Sequence, residues 1–180
     1  MLHAALLALT LQAAPDPVAE FEALCMAARG EDAAIEAAAL TRGYAPVEAT
    51  QEEEAGSDRA DPPPRVWART DGEVETRVIS APGRMRLAGP WLPVHRCYIS
   101  APGDFTGARA AAAALTGVDP FRQRETAVFA WTEHEDGRRP ISQARFERGM
   151  IPLLRDRGLQ VVLVSETRDG VTLSYVTARR

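Results

Sequence analysis

This chain has no lysine: all 21 of its basic residues are arginine. The absence excludes chemistry built on a lysine amine, such as Schiff bases and the phosphate-gripping lysine of a P-loop. Cysteine is almost as scarce, with two in 180 residues, and histidine stops at three. Neither Cys25 nor Cys97 belongs to a C-x-x-C pair, so a redox motif or zinc ribbon is not expected. His95-x-Cys97 offers two zinc ligands, and nothing at metal spacing offers the other two. There is no GxSxG, HExxH, P-loop or dinucleotide pattern. No cofactor and no metal are expected. No segment approaches the roughly 20 apolar residues of a transmembrane helix.

What is present is an ordinary globular composition, 46% hydrophobic, in a chain whose length suits one domain. Its net charge of −4 is unevenly spread. Residues 1–64 carry 12 acidic residues against 3 arginines, and residues 65–180 carry 13 against 18. A basic second half can serve an anionic partner, whereas packing of the acidic half against it would cancel the field. The arginines are scattered rather than clustered, so nucleic acid is not an expected partner.

Residues 1–14, MLHAALLALTLQAA, hold an apolar run followed by small residues. This pattern predicts an export signal cleaved after Ala13 or Ala14, hence a periplasmic or secreted protein. The segment before the run holds no Lys or Arg, only the amino terminus and His3. The competing expectation is therefore a buried helix of a cytoplasmic protein.

Residues 15–180 are expected to form a single α+β domain. Asp16-Pro17 opens a first helix whose apolar face is Val18, Phe21, Leu24, Cys25 and Ala28. Asp32 is expected to cap a second helix over 33–42, closed by Gly43, with Ile35, Ala39 and Leu40 buried. Residues 15–44 thus make a helical hairpin. Residues 45–64, with Glu52-Glu53-Glu54 and the triple proline Pro62-Pro63-Pro64, are expected to be a solvated acidic loop.

Strand signals dominate residues 65–180. Residues 66–69 and 73–80 flank Asp71-Gly72 as a hairpin, and residues 85–88 suggest a short edge strand. In the strand 94–100, His95, Cys97 and Ile99 share one face, and Val94, Arg96 and Tyr98 share the other. The pentapeptide ISAPG occurs at 79–83 and again at 99–103. Both copies are expected to end a strand in a Pro-Gly type II turn. A helix over 105–116 begins at Asp104 or Thr106 and ends at Gly117. Residues 125–133 form a strand, 135–140 a polar turn, and 143–157 a helix capped by Ser142 and stapled by Ile141 and Phe146. That helix buries Phe146, Met150, Leu153 and Leu154 and kinks at Pro152. A hairpin of residues 160–167 and 171–178 closes the chain, with Val164 opposite Tyr175 if Asp169-Gly170 is its loop. The expected architecture is a helical hairpin followed by a mainly antiparallel sheet of five to six strands with two further helices on it.

Three constellations are chemical candidates. In an exported protein Cys25 and Cys97 can pair only with each other, giving one disulfide. The strand-to-helix join holding Gly103, Thr106, Gly107 and Arg109 is a possible anion cradle, although Asp104 can satisfy its N–H groups itself. Glu133-His134-Glu135-Asp136 offers a histidine among acids, in a place where a solvated turn is commonplace. No catalytic residue is assigned. The sequence favours a small exported binding or accessory module held by one disulfide, with an envelope protein as one possible partner. The alternatives are a periplasmic hydrolase using His134 or His95 with carboxylates, and a cytoplasmic domain binding an anion through its arginine-rich half.

Overall fold

The computed structural model describes residues 16–56, 62–86, 91–123, 125–148, 158–168 and 170–178. The expected signal at 1–14 lies outside them, as do Met150, Pro152, Leu153 and Leu154. Among the described residues the chain is mixed α+β, with five α-helices and nine strands in one antiparallel sheet.

The Asp16 carboxylate accepts from the Val18 N–H at 3.0 Å, and Pro17 takes the first position of helix α1 (Pro17–Phe21). The helix widens into a π-type turn over Glu22–Met26, with the Ala27 N–H donating to Glu22 O at 2.9 Å. Val18, Phe21, Leu24, Cys25 and Ala28 are all buried, as their spacing predicts. Helix α2 (Asp32–Thr41) buries Ile35 and Ala39, one turn apart on one stripe. Leu40 is off that stripe and 51% exposed, contrary to expectation.

The acidic stretch is more structured than expected. Strand β1 (Ala45–Val47) pairs with β2 (Arg65–Asp71), and helix α3 (Gln51–Gly56) lies between them in the chain. Thr50 and Glu53 form a reciprocal capping box: the Thr50 N–H donates to the Glu53 carboxylate at 2.6 Å and the Glu53 N–H to Thr50 Oγ1 at 3.3 Å. Glu53 then binds Arg77 through two hydrogen bonds of 2.8 and 3.0 Å. A run of glutamates becomes an ordered helix because one of them is both cap and ion-pair partner.

β2 and β3 (Val74–Arg86) form the expected hairpin, but Asp71 pairs with Val74, so the two-residue loop is Gly72-Glu73. β3 does not stop at the first ISAPG. It runs through Pro82-Gly83 to Arg86, paired with β4 (Trp91–Ala101) from Arg77 on, so Met85 and Arg86, the described part of the edge strand expected at 85–88, belong to β3 itself. Proline is tolerated there because β2 ends opposite Ser80, leaving one side of β3 without a strand to bond. The second ISAPG does end its strand, and Asp104 caps helix α4 (Phe105–Thr116). One pentapeptide thus takes two conformations, chosen by its neighbours in the sheet.

β5 (Phe121–Gln123) and β7 (Gly137–Pro140) both pair with β6 (Thr126–His134) on its outer side. Neither was expected as a strand; the polar turn shrinks to Glu135-Asp136. Arg138 on β7 donates to Leu115 O and Thr116 O at 3.1 and 2.7 Å, satisfying the open end of α4. Ser142 stands at the N-cap of α5 (Gln143–Glu147) without a side-chain bond to it. β8 (Leu159–Thr167) and β9 (Gly170–Ala178) form the closing hairpin. Thr167 pairs with Gly170, so Val162 faces Tyr175 and Val164 faces Leu173. The register therefore differs by two residues from that of an Asp-Gly loop. Gly170 is occupied otherwise: its backbone passes so close to β4 that a Cβ would lie 2.3 Å from Ala101 O.

The sheet runs β1-β2-β3-β4-β9-β8-β6 and then β5, with β7 beside β5 on β6. Its first face carries Trp67, Val78, Cys97, Ile99, Leu173 and Phe129, and packs with residues of α1, α2 and α4 in one core. On the second face Val94, Val128, Val161 and Val176 meet Ile141 and Phe146. Both faces are covered, so Ala127 through Thr132 are buried without a break, the usual mark of a strand between two layers. Each fully buried Phe or Leu of these cores contributes about 1.5–3 kcal/mol.

Candidate functional sites

The sequence offers no local signal for the most concentrated group of chemistry-bearing side chains. Ser80 on β3 and His95 on β4 point to the helix-covered face, two register positions apart, and Asp32 at the start of α2 reaches them from above. Ser80 Oγ donates to Asp32 Oδ1 at 2.5 Å, and His95 Nε2 lies 2.9 Å from the same oxygen and 3.1 Å from Ser80 Oγ. Burial raises the Asp32 carboxyl, but the hydrogen bonds from Ser80 and His95, helped by the fields of His95 and Arg65, bring it below its ordinary value. Asp32 was expected to cap its own helix; its carboxylate fastens that helix to the sheet instead.

Serine, histidine and aspartate together invite comparison with a catalytic triad, and the geometry differs from one. In a triad the nucleophile and the acid occupy opposite ring nitrogens, so that the ring can relay and hold a proton between them. Here both partners lie on Nε2. Nδ1 is buried without a hydrogen-bond partner among the described residues. Ser80 is 1% exposed and His95 9%. Above the ring the chain passes through Arg29 and Gly30, both with positive φ, of 51° and 78°. A Cβ on Gly30 would fall 2.9 Å from Thr177 Oγ1 and 3.1 Å from His95 Nδ1. The backbone itself roofs the imidazole, and glycine permits that approach.

Next to this cluster, Cys25 and Cys97 are bonded, with Cα atoms 5.3 Å apart and a sequence separation of 72. Both are fully buried. Cys97 pairs in register with Ser80 on one side and Tyr175 on the other, so the bridge ties the first helix to the middle of the sheet.

The expected anion cradle of Gly103, Thr106, Gly107 and Arg109 lies at the start of α4. The Asp104 carboxylate accepts the Gly107 N–H at 2.6 Å, so the helix start is served by its own cap. Gly103 lies against Val171 and Pro17, and Thr106 is exposed. Arg109, one turn further on, lines a different feature: a cleft of about 280 Å³ shared with Phe105, Pro120, Phe121, Arg122 and Ala127. Phe105 and Arg109 are spaced i, i+4 on α4, while Phe121 and Arg122 come from β5 and Ala127 from the adjoining strand β6. Phe121 also packs edge-on against Phe146 at 5.0 Å.

The third candidate is an open surface. His134 Nε2 is 3.0 Å from Thr132 Oγ1, Glu133 accepts from Trp131 Nε1 at 3.2 Å, and Asp136 pairs with Arg139 at 2.8 Å. Glu133 and Asp136 thus each have a structural partner of their own. Among the described residues no three His, Cys, Asp or Glu side chains are placed to hold a metal ion. No helix there is long and apolar enough to cross a membrane. Compared with family models, with curated proteins and with solved structures, the chain matches none of them.

Proposed function

We propose that this chain is a small exported binding or accessory module, held together by the Cys25–Cys97 bridge, and not a hydrolase. The observation that carries this reading is the closure of the Ser80–His95–Asp32 cluster. A nucleophile must meet its substrate, and Ser80 is 1% exposed, while the backbone at Gly30 closes over the neighbouring His95 ring. A general base must receive the nucleophile's proton, and the Ser80 hydroxyl is bonded to the carboxylate. These side chains act as a latch between α2 and the sheet. His134, the other candidate base, is bonded to Thr132 on an open turn and lies against no enclosed space that would exclude water. Export is supported by the pattern of residues 1–14 together with a fully buried disulfide, a bond that persists in oxidising compartments.

A substrate-independent test of the non-enzymatic part is labelling with a fluorophosphonate, which modifies serines activated by a histidine. The folded protein is expected to remain unlabelled at Ser80. Stoichiometric modification of Ser80 that disappears in His95→Ala would establish a working nucleophile and overturn the reading.

A further inference from the structure

We propose that residues 26–31 form a strap that the Cys25–Cys97 bridge closes over the Ser80–His95–Asp32 latch, so that the latch is covered in the disulfide form and open to solvent in the dithiol form. This goes beyond the binding-module reading and holds whatever the module binds. The strap is anchored at both ends to the same place in the sheet. At its start Cys25 is bonded to Cys97 on β4. At its end Asp32 reaches His95, which stands on the same face of β4 as Cys97, and Ser80, the register partner of Cys97 on β3. Between these anchors the backbone passes over the imidazole at Gly30, where a Cβ would fall 3.1 Å from His95 Nδ1.

The strap itself has little to hold it in place. Ala28 is its only buried residue, and Ala27, Arg29 and Glu31 are exposed. Its backbone closes two tight turns, from the Arg29 N–H to Met26 O at 3.1 Å and from the Glu31 N–H to Ala28 O at 2.9 Å. Arg29, at a φ of 51°, occupies a region that a residue with a side chain adopts only when its surroundings require it. Just before the strap, the π-type turn over Glu22–Met26 places one extra residue in the helix that carries Cys25. Both departures are local costs, and the covalent tie at Cys25 is positioned to offset them. With free thiols the turn can return to α-type bonding, and a one-residue change of helical register rotates the chain that follows by about 100°. That rotation carries the strap off the His95 ring.

Closure is a two-electron oxidation by a disulfide-bearing oxidant. One cysteine thiolate attacks the oxidant's disulfide and expels one of its thiols; the other attacks the mixed disulfide and expels the second. Two protein thiols and one oxidant disulfide thus become one protein disulfide and two oxidant thiols. Both sulfurs are then fully buried, so the closure is one-way in the folded protein. A chain in a reducing compartment displays Ser80 and His95, and an oxidised chain covers them.

The test compares the bridged protein with the dithiol protein, made by unfolding in urea with dithiothreitol and refolding in its presence. Amide hydrogen exchange is followed, together with carbethoxylation of His95 by diethyl pyrocarbonate, with the partly exposed His134 as internal reference. In the dithiol protein the amides of residues 27–32 should exchange at least about tenfold faster, relative to those of β8 and β9, than in the bridged one, as a local opening requires. His95, inert in the bridged protein, should become reactive. Cys25→Val with Cys97→Ala, which refills much of the space of the sulfurs without the tie, should behave as the dithiol protein does. Equal protection of His95 in the two forms would overturn the proposal. So would protection lost by one common factor across strap and sheet, or a sheet left unprotected in both the dithiol protein and the variant, since the bridge would then hold the whole fold and not the strap. Ser80 labelling is done on the bridged protein, so its outcome is separate from this one.

Discussion

Replacing both bridge cysteines, Cys25→Ala with Cys97→Ala, tests how far the fold depends on its single covalent tie. The cysteines are 72 positions apart in the chain, so the bridge closes a long loop in the unfolded state. Chain-entropy arguments give about 4 kcal/mol for a loop of that length. Both sulfurs are fully buried, and the space they leave adds about 1 kcal/mol. A loss near 5 kcal/mol is a large part of the 5–15 kcal/mol typical of a domain. With a urea m-value of about 2 kcal/mol per M, the midpoint should fall by about 2.5 M while the slope rises, because the unbridged chain exposes more surface on unfolding. Far-UV circular dichroism in urea measures both. Wild-type protein treated with dithiothreitol under native conditions should keep its bridge until urea opens the core, since no part of either cysteine is accessible. A midpoint shift under about 0.5 M, or reduction of the native protein as fast as that of the unfolded one, would refute the reasoning.

Two further outcomes follow from close contacts elsewhere. Gly170→Ala places a methyl 2.3 Å from Ala101 O at a φ of 152°, and should cost about 2 kcal/mol or more in urea unfolding; a loss under 0.5 kcal/mol would show that β4 and β9 separate easily there. The Asp32 carboxyl titrates below its ordinary 3.8 in the folded protein, so its contribution is present above that value and is lost as the pH falls through the folded-state one. The stability difference between wild type and Asp32→Asn should therefore narrow between about pH 5 and pH 2, and a constant difference across that range would contradict the latch.

Much of the fold is legible locally. Asp16-Pro17 and Asp104 announce helix starts by side-chain chemistry that needs no tertiary context, and the 94–100 alternation assigns His95, Cys97 and Ile99 to their face. The failures occur where non-local contacts decide. Pro82-Gly83 carries a turn signal that β4 overrides by pairing with β3 from Arg77 on. Gly170 follows Asp169 like a turn glycine, yet it is fixed by the backbone of another strand. The glutamates near residue 53 look solvated until Arg77 arrives from across the sheet. The same reason hides the latch. Ser80 and His95 lie 48 and 63 positions from Asp32, and only the β3–β4 register, which continues past the turn-like Pro82-Gly83, sets them together. The cleft was half visible, since Arg109 stood out, but its aromatic wall belongs to β5, a three-residue strand too short to carry a period.

The proposed export and the Cys25–Cys97 bridge are tested together by an intact mass of the protein expressed from its own Met1 in a bacterial host, with and without iodoacetamide under denaturing conditions. The expected result is a mass lacking residues 1–13 or 1–14 and no alkylation. A full-length mass with two alkylated thiols would contradict both export and the bridge.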